Sequence, residues 1–289
     1  MRLLTWNLWW RFSDWRGRQL AIEATLEREA PDVCFLQEVW ISGDDSLAAR
    51  LAERLGRHYA VAPAAIPKRW HGKVDDPTPG VGVAVLSRWP VTHVEHEPLP
   101  GRGTDAWPVL HAVVDAPGGP VPVFCTHLHS DPGGSADRMV QVSHLARYVA
   151  DRAIDSHPAL LAGDFNALPE ADEIRLLEGV LTAPSVDGQV LLDSWRYADP
   201  PAAGHTWDRR NPHVAATGEP SGRIDYVFVG PPAGARGAIR SARLAGNSPE
   251  RGTWPSDHFA VLVELASEAG VPPAAEVDKD SQGVSPPPQ

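Results

Sequence analysis

Leu160-Leu161-Ala162-Gly163-Asp164-Phe165-Asn166 is the stretch that decides how this chain folds. A short apolar run of this kind predicts a buried strand over residues 159–166. It ends in a carboxylate and an amide, side chains that rigid sheet can hold while they stay open to solvent and substrate. Taken alone, Asp164 and Asn166 after Gly163 could be simple turn chemistry.

The same arrangement recurs along the chain. LLTWN ends at Asn7, VCFLQE at Glu38 and VFCTH at His127, while RIDYVFV carries Asp225 near its start and SDHFAV opens on Asp257 and His258. If the first four strands finish at one rim and the last two begin there, antiparallel to them, all eight polar residues converge on one cleft. Each has a bland alternative: Asn7 capping a turn, Glu38 as a surface acid, His127 donating to a carbonyl, Asp257 capping a strand. The joint pattern outweighs them.

Around these strands the spacing predicts helices over residues 16–30, where Pro31 stops the chain, over 46–55, over 136–154 and over 170–181. In the third, Met139, Val142, Leu145, Ala146 and Val149 fall on one side. Residues 80–91 are β-rich, and 109–127 divide into two strands at the turn Ala116-Pro117-Gly118-Gly119. Further strands are expected over 3–7, 33–38, 224–229 and 259–265. This mixture predicts an α/β sandwich, two packed sheets with helices outside. Residues 1–265 are expected to form one domain, followed by a disordered Pro/Ala/Ser-rich tail over 266–289.

The 289 residues are 43% hydrophobic and 22% charged, the make-up of an ordinary globular protein. A formal net charge of −11 argues against gripping nucleic acid through basic patches, yet it leaves a nucleic-acid substrate open if a divalent cation supplies the positive charge. Cys34 and Cys125 sit inside apolar runs and are expected to be buried thiols. The apolar start MRLLTWNLWW breaks at Asn7, too early for a secretory or membrane segment, so a cytoplasmic location is expected; separately, the chain is expected to be a monomer.

In this order, the strings TWN, FLQE, THLHS, GDFNALP, RIDYVFV and SDHFAV resemble the endonuclease/exonuclease/phosphatase superfamily, the deoxyribonuclease-I-like fold. The resemblance implies a four-layered α/β sandwich and metal-dependent attack of water on the phosphorus of a phosphodiester, or of a phosphomonoester. It implies a phosphate-ester substrate, with nucleic acid and phospholipid headgroups among the options, but the fold does not select one. Carried over by position, Glu38 is the principal Mg²⁺ ligand, Asn7 lies beside it and Asp257 contributes directly or through water; Mn²⁺ is the alternative ion. Asp164 orients or deprotonates the water, and Asn166 helps hold it and the phosphate, on the same face if the strand persists that far. The resemblance likewise implies that His258 is the catalytic histidine, as base or as electrostatic stabiliser, that Asp225 fixes its tautomer, and that His127 contacts a phosphate oxygen.

Several further residues are ambiguous. Arg88 and Arg223 could reach a phosphate, although a surface position or a structural ion pair is the stronger expectation for each. Trp9, Trp10 and Trp15 could stack on bases or touch lipid, with core packing favoured. Residues 206–212, TWDRRNP, read as a loop near the site without chemistry of their own. Two rival functions remain. His127-Leu128-His129-Ser130-Asp131 resembles the start of the zinc motif of metallo-β-lactamase-like enzymes, but Pro132 stands where its last histidine belongs. A non-catalytic binding module on the same fold should have lost some of the eight residues, and none is replaced.

Overall fold

The first apolar run forms β1 (Arg2–Asn7), buried from Leu3 to Asn7 in the interior of its sheet. It pairs in parallel with β2 (Val33–Ser42) and antiparallel with the last strand of the chain, Ala260–Leu265. The computed structural model describes residues 1–66, 70, 72–74, 76, 78–101, 107–232 and 236–266. The tail expected from residue 266 lies outside the described residues from 267 onward.

Thirteen strands are named in chain order: β1, β2, β3 (Asp45–Ser46), β4 (His58–Ala64), β5 (Gly80–Ser87), β6 (Val91–Pro98), β7 (Pro108–Ala116), β8 (Gly119–His127), β9 (Leu160–Asp164), β10 (Leu192–Asp193), β11 (Asp225–Val229), β12 (Ile239–Ala245) and β13 (Ala260–Leu265). They form two sheets, ordered β12-β13-β1-β2-β5-β4, with β3 on β2, and β10-β11-β9-β8-β7-β6. Within the second sheet β8 and β9 run parallel, and β11 returns antiparallel to β9.

Alternation along the strands builds the core between and outside the sheets. On β8, Val123 and Cys125 join the inter-sheet cluster while Phe124 points the other way; on β11, Val227 and Val229 face in while Tyr226 and Phe228 face out. The outward set packs beneath α3 (Ser135–Asp151) and α4 (Asp172–Leu177). The first sheet is covered by α1 (Trp15–Glu29) and α2 (Leu47–Leu55). The result is the expected α/β sandwich. Asp14 caps α1 by accepting from the Gly17 N–H, and Ala30 ends it in the left-handed region just before Pro31. Ser46 and Gly56 do the same for α2.

Where sequence and structure differ, the causes are local. Strand β2 runs on to Ser42, because a bulge at Gln37 and Glu38 lets pairing with β5 resume at Val39. Strand β9 stops at Asp164, so Asn166 lies beyond the strand, and the helix expected over 170–181 shrinks to Asp172–Leu177. The edge strand β6, VTHVEHEP, carries too many polar residues to read as a strand. Also unanticipated are β4, β12, α5 (Ser194–Ala198) and α6 (Pro212–Ala215). Among the described residues, no helix is long and apolar enough to cross a membrane.

Candidate active site

Strands β1, β8 and β9 end at one rim, and β11 begins there with Asp225 directly paired to Asp164. The residues before β13 reach the same place because Thr5 pairs with Val261. The structure therefore brings the eight predicted side chains together. Glu38, His127, Asp164, Asn166, Asp257 and His258 line a cleft of about 580 Å³, with Asn7 and Asp225 in hydrogen-bond contact behind them.

Glu38 owes its position to the bulge. Its φ of +53° turns the carboxylate out of the regular alternation of β2 and toward the cleft. The Asn7 amide nitrogen donates to Glu38 Oε1 at 3.2 Å and to Asp164 Oδ2 at 3.0 Å, while the Asn7 oxygen accepts the Trp9 N–H at 2.9 Å. A backbone N–H can only meet the oxygen, so the amide orientation is fixed: the Asn7 nitrogen bridges the two acids, and its oxygen accepts from Trp9 with one lone pair left over. Glu38 Oε2 is buried and has no hydrogen-bond partner.

His258 donates from Nδ1 to Asp225 Oδ2 at 2.9 Å, and its Nε2 stands 3.8 Å from Asp164 Oδ2. His127 Nε2 approaches the same oxygen at 3.5 Å, its ring packed against Trp107 at 4.0 Å between centroids. Beyond the strand end, Asn166 adopts φ +49°, gives its N–H to Asp164 Oδ1 at 2.9 Å and commits its amide nitrogen to the Leu128 carbonyl at 3.1 Å.

Burial and mutual repulsion dominate the electrostatics. Burial, then Asp257, pushes the Glu38 carboxyl up to about 8 against the Asn7 bond and His258. Burial, then Asp225, raises Asp164, and burial also raises Asp257. For His258, burial disfavours the cation, but Asp225, Asp164 and Asp257 together outweigh it and hold the imidazole well above its ordinary value. Among the described hydrogen bonds no arginine donates to these acids; Arg18 acts on Asp257 only through space, and Lys73 lines the same cleft.

Several supporting residues escaped the sequence reading. The TWDRRNP loop is a brace: Thr206 Oγ1 accepts the N–H of Asp225 at 3.2 Å, and Asn211 donates to the carbonyls of Ser256 at 2.7 Å and Asp257 at 3.3 Å. Ser256 Oγ donates to the Asn7 carbonyl at 2.6 Å and accepts the His258 N–H at 3.2 Å. Arg18, 2% exposed, donates to the carbonyls of Leu8, Trp9, Trp10, Phe12 and Pro255, tying the segment after Asn7 to the segment before Asp257. No residue-type signal marks such a clasp, since an arginine in a first helical turn ordinarily faces water.

The tryptophans divide. Trp10 is core, packed on Trp70 and donating to the Gly80 carbonyl at 3.0 Å; Trp15 packs on Trp40; Trp9 lines the cleft beside His213. Neither ambiguous arginine lines the cleft. Arg223 forms a buried two-bond pair with Asp193 at 2.7 and 3.1 Å, and Arg88 sits 3.4 Å from Asp32.

The sequence profile of the Endonuclease/Exonuclease/phosphatase family matches residues 4–258. The chain belongs to that family. Its members are phosphoesterases that use divalent metals, and the assignment displaces the metallo-β-lactamase reading. An Escherichia coli relative, "Uncharacterized protein YbhP", is 37% identical over 87 residues, 29% of this chain and 33% of that protein. The Drosophila melanogaster "Putative neutral sphingomyelinase" is 26% identical over 92% of this chain and 60% of its own length. The chain thus matches a third to about three fifths of these curated relatives.

Among solved structures, a family member from Beutenbergia cavernae is 26% identical with a TM-score of 0.62, covering 92% of this chain and 72% of that one. D. rerio TDP2 complexed with a single-strand DNA product superposes with a TM-score of 0.70 at 18% identity, over 92% and 99% of the two chains, a likeness of fold.

Proposed function

We propose that the chain is a Mg²⁺-dependent phosphodiesterase, with Mn²⁺ as an alternative ion, that hydrolyses its substrate by attack of water on phosphorus. One observation carries this reading: an imidazole clamped between two carboxylates stands in the same cleft as a buried glutamate with an unpartnered oxygen. The acids fit a hard divalent cation. Without one, Glu38 meets its charge by holding a proton to about pH 8, and Oε2 stays orphaned. Glu38 and Asp257 would hold the ion; when bound, it supplies positive charge against the phosphoryl oxygens.

The remaining steps belong to the protein's own groups. Asn7 positions Glu38 and Asp164 through its amide nitrogen. Asp164, raised toward neutrality by burial, is matched to accept the proton of the attacking water. Asn166 gives one amide hydrogen to Leu128 and keeps a second N–H and its oxygen, so it can help hold both the water and the phosphate. Asp225 keeps the proton on His258 Nδ1 and favours the cation, so Nε2–H can donate to a phosphoryl oxygen as negative charge builds there. His127 supports the same oxygen position from the end of β8, in the other sheet.

A diester is supported by the relatives' names, since DNA and sphingomyelin are both phosphate diesters. The net charge of −11 favours metal-assisted binding over a basic groove. The test is release of nitrophenol from bis-nitrophenyl phosphate with Mg²⁺ and with EDTA, followed by a screen of DNA, RNA, sphingomyelin and inositol phosphates. Turnover should vanish with EDTA and in Glu38→Ala. Metal-independent turnover, or an unchanged Mg²⁺ activation curve in Glu38→Ala, would sink the proposal.

A further inference from the structure

A second group of metal-competent side chains lies on β6 and β7, and none of them lines the catalytic cleft. His93 and Glu95 are two residues apart on β6 and so share a face of the sheet. Glu95 stands directly opposite His111 of β7, and His93 opposite Val113, so the ladder is regular across all three and the bulge of β6 falls before them.

Their spacing is close to what a small ion requires. His111 Nδ1 is 3.2 Å from Glu95 Oε1, His93 Nε2 is 3.9 Å from Glu95 Oε2, and one donor atom from each residue lies within 4.8 Å of the others. Tetrahedral zinc with bonds of about 2.0–2.1 Å places its donors about 3.3 Å apart, so the group must close by up to about 1.5 Å, a movement the exposed His93 side chain can supply by turning toward the other two. His111 is the fixed point: it is 5% exposed and stacked on Phe124 at 4.6 Å and 12°. Its Nε2 is buried without a hydrogen-bond partner already, so coordination through Nδ1 strands no further polar atom.

The position already holds one cation, which a metal would have to displace. Arg152, at the end of α3, donates from Nε to Glu95 and lies across the Tyr148 ring at 3.4 Å. A metal would take Glu95 from it, and the Tyr148 face would retain the guanidinium by cation–π attraction.

We propose that His93, Glu95 and His111 form a second metal site, for a divalent ion of the zinc class, which pins the edge strand β6 to β7. Two imidazoles and one carboxylate suit zinc, cobalt or nickel, whereas the oxygen donors of the cleft suit magnesium. Closing this edge would also stiffen a strand that has no neighbour on its outer side.

The test uses the full, tag-free chain with saturating Mg²⁺, titrated with Zn²⁺ by calorimetry and with Co²⁺ by visible absorption. One equivalent should bind. His93→Ala, at an exposed position that should not disturb folding, and Glu95→Gln should each weaken binding by about tenfold or more. Arg152→Gln, which removes the competing cation, should strengthen it, and His258→Ala should leave it unchanged. Absence of saturable binding, wild-type affinity in both His93→Ala and Glu95→Gln, weaker binding in Arg152→Gln, or loss of binding in His258→Ala would each overturn the proposal.

Discussion

Two sets of buried acids in this protein are treated oppositely. Asp193, 1% exposed, is held by both arms of Arg223, and Glu173, 0% exposed, by Arg138 Nε at 2.8 Å and Ser135 Oγ at 2.9 Å. At the cleft, Glu38, Asp164 and Asp257 are also buried, at 8%, 1% and 7% exposure, yet no arginine donates to any of them in the described contacts. Arg18 lies close enough to lower Asp257, but its donors are spent on carbonyls. Where an acid serves the fold, a cation is built in beside it; at the cleft the acids are left short of positive charge, the arrangement expected where an ion or substrate must enter. Backbone strain gathers at the site without being confined to it, since the helix-capping Ala30 and Asp199 also carry positive φ. Trp9, Trp10, Glu38 and Asn166 all carry positive φ around the site, each at a cost of ~1–3 kcal/mol.

The sharpest way to break this contrast is at the imidazole. His258→Ala should lose ~10²–10⁴ in turnover with folding intact, and Asp225→Asn somewhat less. Because Asp225 acts through His258, the double variant should be little worse than His258→Ala in steady-state kinetics. Fully multiplicative losses would remove Asp225 from its orienting role.

Arg223→Ala tests the structural half. Stranding the buried Asp193 should cost ~3–5 kcal/mol in denaturant unfolding, while the Mg²⁺ activation constant of the folded enzyme stays put. A shifted activation constant with little loss of stability would mean that this pair belongs to the site.

Glu38→Gln should act in the other direction. An amide keeps the acceptor for Asn7 and places a donor near Asp257, so in EDTA at pH 8 the variant should be more stable than the wild type by more than about 1 kcal/mol and melt higher, while activity is lost. A lower melting temperature would show that Glu38 is satisfied without a cation.

The smallest effect concerns pH. The folded values of Glu38, Asp164, Asp257 and His258 are all raised, so the native state retains protons that the unfolded chain releases. For His258 that contribution is complete below the ordinary 6.5 and is lost above it; for Glu38 it is lost progressively from 4.5 toward about 8. Metal-free protein should therefore melt progressively lower between pH 6.5 and 8, and Mg²⁺ should flatten the slope. A melting temperature that rises over this interval in EDTA would contradict the charge assignment.

The site was legible in the sequence to the extent that apolar runs ended in polar residues. LLAGDFN, RIDY and SDH announced Asp164, Asn166, Asp225, Asp257 and His258 because buried strands have a composition that cannot be mistaken for surface. Edge strands such as β6 were missed for the converse reason, since half their residues face water.

By itself the sequence determined the strand ends, the two-sheet architecture and the residue types at the rim, all of which depend on local hydrophobicity and turn chemistry. Only the tertiary structure decided how those groups meet. The bulge that turns Glu38 toward the cleft, the amide orientation of Asn7, the brace from Thr206 and Asn211 and the Arg18 clasp are contacts between segments far apart in the chain, and backbone carbonyls, which every residue carries, leave no mark in a sequence.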